Sequence, residues 1–98
     1  MEVLAAGTEV VVRVPAPLRN LTGGQGELRT APGTLRAVIA ALDGSYPGLQ
    51  ARLCEADGSL RPFVNVFVDN EDIRFLQGLD TDLGPGTRVS ILPAVAGG

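Results

Sequence analysis

Stretches in which apolar and polar residues alternate set the outline of this chain, and each predicts a strand. Thr8-Glu9-Val10-Val11-Val12-Arg13-Val14 is rich in β-branched residues and puts Val10, Val12 and Val14 on one face. Pro15 and Pro17 close it, and Leu18 to Gly26 reads as a turn-rich loop leading to a short second strand, Glu27-Leu28-Arg29-Thr30, paired with the first. The clearest alternation is Phe63 to Val68. It turns Val64, Val66 and Val68 inward and Asn65 and Phe67 toward solvent. A tight acidic turn, Asp69-Asn70-Glu71-Asp72, then gives way to a short return strand, Ile73-Arg74-Phe75. Gln77 to Gly86 is a long connection with Leu79 and Leu83 tucked under the sheet. Thr87 to Leu92 is the last strand, with Val89 and Ile91 inward and Ser90 and Leu92 outward.

Between these strands the period changes from two to about 3.6 residues. Thr34 is an N-cap for a helix running to about Leu42, in which Leu35, Val38, Ile39 and Leu42 form one apolar stripe. Asp43-Gly44-Ser45 ends it. A shorter helix runs from Gly48 to about Cys54, with Leu49 and Leu53 pointing inward. The order β-β-α-β-β-β predicts an α+β fold, a mixed sheet with the main helix laid across one face. The pattern resembles the ubiquitin-like β-grasp folds, in which the first and last strands run parallel at the centre and a C-terminal tail projects from the sheet.

The expected organisation is a folded body, residues 1–93, and a flexible C-terminal tail, residues 94–98. Pro93 cannot donate to a sheet ladder, so it is the predicted exit point of the tail. Beyond it stand only small residues and one valine: Ala94, Val95, Ala96, Gly97 and Gly98. Extended, they reach roughly 17 Å, enough to thread a narrow channel into a partner's active site. The terminal glycines lack a Cβ that would shield the last carbonyl carbon.

Composition narrows the chemistry. Ninety-eight residues, 45% of them hydrophobic, make one domain with a modest core and no apolar run long enough to span a bilayer. The first residues show no basic region followed by an apolar stretch, so a cytoplasmic protein is expected. The net charge of -3 disfavours nucleic acid and provides no polybasic membrane anchor. One cysteine, Cys54, and no histidine leave no disulfide framework, no zinc site of the usual spacing and no Cys/His or Ser/His pair. Cys54 reads as a small packed side chain, and no metal site is expected. Gly23-Gly24-Gln25-Gly26 precedes no helix and no Lys-Ser/Thr, so it reads as a flexible loop and not a phosphate cradle. The clustered carboxylates of residues 69–72 lack the glycine and distal glutamate of a calcium loop and are read as turn chemistry. An enzyme would have to work with carboxylates and arginine alone. The chain is therefore read as a protein on which enzymes act. Phe67 and Leu92, apolar on the open sheet face near the root of the tail, form a predicted docking patch.

The segments Thr22-Gly23-Gly24-Gln25, Arg61 to Asp69, Glu71 to Phe75 and Ser90 to Gly98 resemble those of the ThiS/MoaD sulfur carriers, most of all the carriers of actinobacterial cysteine synthesis. The likeness runs from Val10 to Gly98. It implies that an enzyme of the ubiquitin-activating class binds the open face and consumes ATP to adenylate the Gly98 carboxylate. A persulfide or sulfide then displaces AMP, leaving a thiocarboxylate. It further implies a PLP-dependent synthase, or another sulfur-accepting enzyme, and a metalloprotease that releases the product. The protein itself would bind no cofactor. Gly98 would carry the reactive group, with Gly97, Ala96, Val95, Phe67 and Leu92 meeting the partner. The acceptor stays open between cysteine and a thio-sugar or other natural product. An alternative is a ubiquitin-like modifier conjugated through Gly98. Lacking lysine, it would form single conjugates and no lysine-linked chains. A plain β-grasp interaction domain is the third reading.

Overall fold

The computed structural model describes residues 8–93. The first strand, β1 (Val10–Arg13), lies inside the sheet and is flanked on both sides. On one side runs antiparallel β2 (Glu27–Thr30), with Val10 opposite Thr30 and Arg13 opposite Glu27. On the other runs parallel β7 (Arg88–Pro93), with Val11 beside Arg88 and Arg13 beside Ser90. The antiparallel strands β4 (Val64–Val68) and β5 (Glu71–Asp72) complete a sheet of order β2-β1-β7-β4-β5. A parallel pair cannot be joined by a hairpin and needs a crossover. Here the crossover includes the helix α1 (Leu35–Ser45), packed on one face of the sheet, and a second, short helix α2 (Leu49–Leu53). This is the ubiquitin-like β-grasp architecture expected from the order of elements.

The alternations lead to one core. Val10, Val12 and Val14, Leu28, Val66 and Val68, Val89 and Ile91 meet the stripe Leu35, Val38, Ile39 and Leu42, and all are buried. Leu49 and Leu53 have no exposed surface, so the short helix closes the end of that core. Thr34 caps α1 as predicted, its Oγ1 accepting the Ala37 N–H at 3.1 Å.

Five local readings change, each for a physical reason. The helix α1 continues through Asp43 and Gly44 to Ser45, because Asp43 does not terminate it. Asp43 Oδ1 instead accepts the N–H groups of Gly48 (3.1 Å) and Gln50 (3.0 Å), satisfying the start of α2. The loop before β2 contains a 3-10 helix, Ala16–Thr22, opened by proline in its first turn and closed by Gly23 at φ 66°. Its hinge is buried Thr22, whose hydroxyl donates to the Arg19 and Gln25 carbonyls. The return strand is Glu71–Asp72, and Ile73–Phe75 is a 3-10 turn, because the Asp72 carboxylate accepts the Arg74 N–H at 2.8 Å and bends the chain. Within the long connection, β6 (Asp82–Leu83) pairs with β3 (Gly33–Thr34) in a separate two-stranded sheet.

Pro93 is the fifth case, since it stays in the sheet opposite Val64. The Asp69 N–H donates to the Arg88 carbonyl at 2.8 Å, which makes Phe67–Ser90 and Asn65–Leu92 the bonded pairs in the alternation. Val64–Pro93 then falls at a non-bonded position, where this ladder needs no N–H from proline.

Replacing Thr34 by alanine removes the cap of the crossover helix and is expected to cost about 1 kcal/mol. Thr34→Ser should retain most of that stability. Urea unfolding of the two variants checks this, and equal stability of Thr34→Ala and the parent would contradict the capping role.

Candidate functional site

The sheet face opposite α1 is built by the residues that alternate with the core: Arg13 on β1, Arg88, Ser90 and Leu92 on β7, Asn65 and Phe67 on β4, and Asp72 on β5. Register sets Phe67 between Ser90 and Asp72 and puts Leu92 opposite Asn65. Leu92 is 50% exposed, whereas Phe67, expected toward solvent, is half-buried. One guanidinium ties this region together. Arg74 Nη2 lies 2.6 Å from Asp72 Oδ2 and donates to Asn65 Oδ1 at 3.2 Å, bridging two neighbours of Phe67. The Arg74 side chain and then its backbone N–H hold the Asp72 carboxyl below its ordinary range. The same pairing raises the Arg74 guanidinium.

Apolar groups that the alternation did not single out also stand open. Phe63 is 63% exposed and Phe75 80%. Phe63 was legible, since it precedes Asn65 and Phe67 at the same period of two. Phe75 was not, because its exposure follows from the 3-10 turn that replaced the predicted strand. The predicted site residues Val95, Ala96, Gly97 and Gly98 lie outside the described residues.

The rest of the surface offers little catalytic chemistry. A groove of ≈ 530 Å³ gathers Arg36, Arg61 and Arg74, and each guanidinium already faces a carboxylate, Asp80, Glu55 and Asp72 respectively. Cys54 is buried, and burial pushes its thiol above the ordinary value, the opposite of what a nucleophile needs. Among the described residues no cluster of three or more histidine, cysteine or carboxylate side chains is placed to hold a metal, and no helix is long and apolar enough to cross a membrane.

A β-grasp body with an open face beside its last strand places the chain among the ubiquitin-like proteins. The profile of the ThiS family matches residues 12–98, and the chain belongs to that family. It is 46% identical over 91 residues to the sulfur carrier protein CysO of Mycobacterium tuberculosis, covering 91% of this chain and 98% of that one. A chain of the crystal structure of the Amycolatopsis orientalis BexX/CysO complex superposes with a TM-score of 0.85 at 38% identity, covering 91% of this chain and 99% of that one. The small archaeal modifier protein 3 of Haloferax volcanii is 42% identical over 65 residues, covering 66% of this chain and 70% of that protein. These relatives are carriers and modifiers, acted upon and not themselves catalysts.

The Asp72–Arg74 pair carries a pH signature. Because the folded carboxyl titrates below its ordinary value, its contribution is fully present above about pH 4 and is lost as pH falls through the depressed value. Melting temperature measured on acidification should fall more steeply for the parent protein than for Asp72→Asn below that point. Parallel curves would show that the pair does not couple to folding.

Proposed function

We propose that this protein is a sulfur carrier whose Gly98 carboxylate is the reactive group. The observation that carries the reading is the ThiS-family match running from β1 to residue 98 on a β-grasp body. A partner of the ubiquitin-activating class docks on the open face around Leu92 and Phe67 and draws in Val95, Ala96, Gly97 and Gly98. It attacks the α-phosphate of ATP with the Gly98 carboxylate, releasing pyrophosphate and giving an acyl-adenylate. Sulfide sulfur then adds to the acyl carbon and AMP leaves with the C–O bond electrons, so Gly98 ends as a thiocarboxylate. That anion is a soft nucleophile at neutral pH.

The body contributes recognition and the tail contributes the handle. ATP is consumed by the partner, and no cofactor resides on the carrier. The likeness to the CysO carriers favours cysteine synthesis as the destination, through a PLP-dependent synthase and a metalloprotease that frees the product. The likeness to a carrier crystallised with BexX supports delivery to another sulfur-accepting enzyme. The chain divides functionally into a body of residues 1–93 and a tail of residues 94–98, acting in the cytoplasm. A second reading, a modifier conjugated through Gly98, draws on the likeness to the archaeal modifier protein. It predicts higher-mass conjugates on denaturing gels of host lysate.

Intact mass after incubation with ATP, sulfide and the activating enzyme of the same host tests the first reading. One oxygen should be exchanged for sulfur, and the exchange should vanish when Gly98 is deleted although the domain stays folded. Sulfur gained by the truncated protein would refute the assignment. Leu92→Glu should slow activation at least tenfold with little change in melting temperature, since Leu92 is half exposed. An unchanged activation rate would show that the partner docks elsewhere.

A further inference from the structure

The eight arginines divide into two groups by their partners. Arg29, Arg36, Arg61, Arg74 and Arg88 each face a carboxylate, at distances between 2.6 and 3.7 Å. Arg13, Arg19 and Arg52 make no ion pair among the described residues, and the Glu27 carboxylate opposite Arg13 is shared by Arg29 and Arg88. These three surround one place in the fold, the end of the sheet where β1 and β7 finish and β4 begins. Arg13 and Arg19 line a groove of ≈ 320 Å³ with Ser90 and Leu92. Arg52 lines a neighbouring groove of ≈ 390 Å³ with Leu18, Phe63 and Val64, and the Glu55 carboxylate in that groove is already held by Arg61 at 3.1 Å. The two grooves adjoin the Val64–Pro93 pair, and Phe63 and Leu92 stand exposed there.

Charge is segregated along the strands as well. Asp69 and Glu71, in the β4–β5 turn, lie at the opposite end of β4, where Arg88 opens β7 and its N–H is bound by Asp69 Oδ1 at 3.0 Å. Glu9 sits at that same end, before the first residue of β1. A chain of net charge -3 thus presents a cationic pole where it approaches its tail. Arginines with exposed charge and no internal carboxylate have no structural partner that explains their grouping. Arg19 is partly committed, with Nε donating to the Val14 carbonyl at 3.0 Å, and this fixes its guanidinium beside the groove. Arg13 and Arg52 are exposed and make no such bond.

We infer that this pole, Arg13, Arg19 and Arg52 around Leu92 and Phe63, engages an acidic surface of the activating enzyme and steers the carrier to it. The inference rests on the carrier reading and adds the chemistry of the partner's surface. Opposite charge across a rim accelerates encounter and makes it salt-dependent, while apolar groups between the charges hold the complex once it has formed.

Stopped-flow association with the activating enzyme of the same host, in the absence of ATP and sulfide, tests it across a range of ionic strength. Arg13→Glu with Arg52→Glu should lower the association rate about tenfold or more at low salt and flatten its salt dependence. Arg13→Lys with Arg52→Lys should retain both the rate and the slope. Arg29→Glu with Arg36→Glu changes net charge equally but away from the pole, and it should leave the rate near that of the parent. Unchanged melting temperatures separate these effects from misfolding, and Arg19 is left intact because its Nε bond supports the fold. A parent-like rate in the Arg13/Arg52 glutamate pair, or equal slowing in both glutamate pairs, overturns the inference. Either result leaves the carrier reading standing, since that reading is judged by sulfur exchange in the parent protein.

Discussion

The parallel pairing of β1 with β7 is the constraint on which the rest of the structure depends. Arg13 beside Ser90 joins residues far apart in sequence, and a parallel ladder forms only when the intervening chain crosses over one face. That requirement gives α1 its place and its apolar stripe, and the Thr34 cap fixes where the crossover begins. It also determines where the chain emerges. The last strand lies between β1 and β4 at the sheet centre and is paired on both sides up to Pro93.

Binding and chemistry are thereby separated. The body shows no histidine, a buried and unactivated cysteine, and carboxylates engaged in capping, turns and ion pairs. What it presents is exposed Leu92 and Phe63, a Phe67 framed by Ser90 and Asp72, and arginines gathered near the point where the sheet ends, which on the carrier reading serve as an address. On the carrier reading such an arrangement suffices, since each partner would bring its own catalytic groups and need only recognise the body and reach the tail.

Sequence periodicity was enough to find the main strands and the helix stripe, because each rests on burial of one face, while the parallel centre was expected from the likeness to β-grasp folds. The errors fell where side chains bond to backbone at short range. Asp43 looked like a helix terminator and instead caps the next helix, while Asp72 turned an expected strand into a 3-10 turn. The small β3–β6 sheet escaped notice because two residues per strand carry no period. Of the open sheet face, Leu92 was legible from alternation. The half-burial of Phe67 was not, and neither was the Arg74 bridge between its neighbours Asp72 and Asn65, which depends on that same turn. The cationic pole could not be read from composition, because it arises from which arginines lack a carboxylate in three dimensions.

On the carrier reading the partner recognises the folded body, and the tail alone is insufficient. ATP–pyrophosphate exchange by the activating enzyme measures adenylation directly, with the intact protein compared against an isolated peptide of residues 89–98. Robust exchange is expected with the intact protein and none above background with the peptide at the same concentration. Equal exchange with the peptide would contradict it, because the body would then have no part in activation.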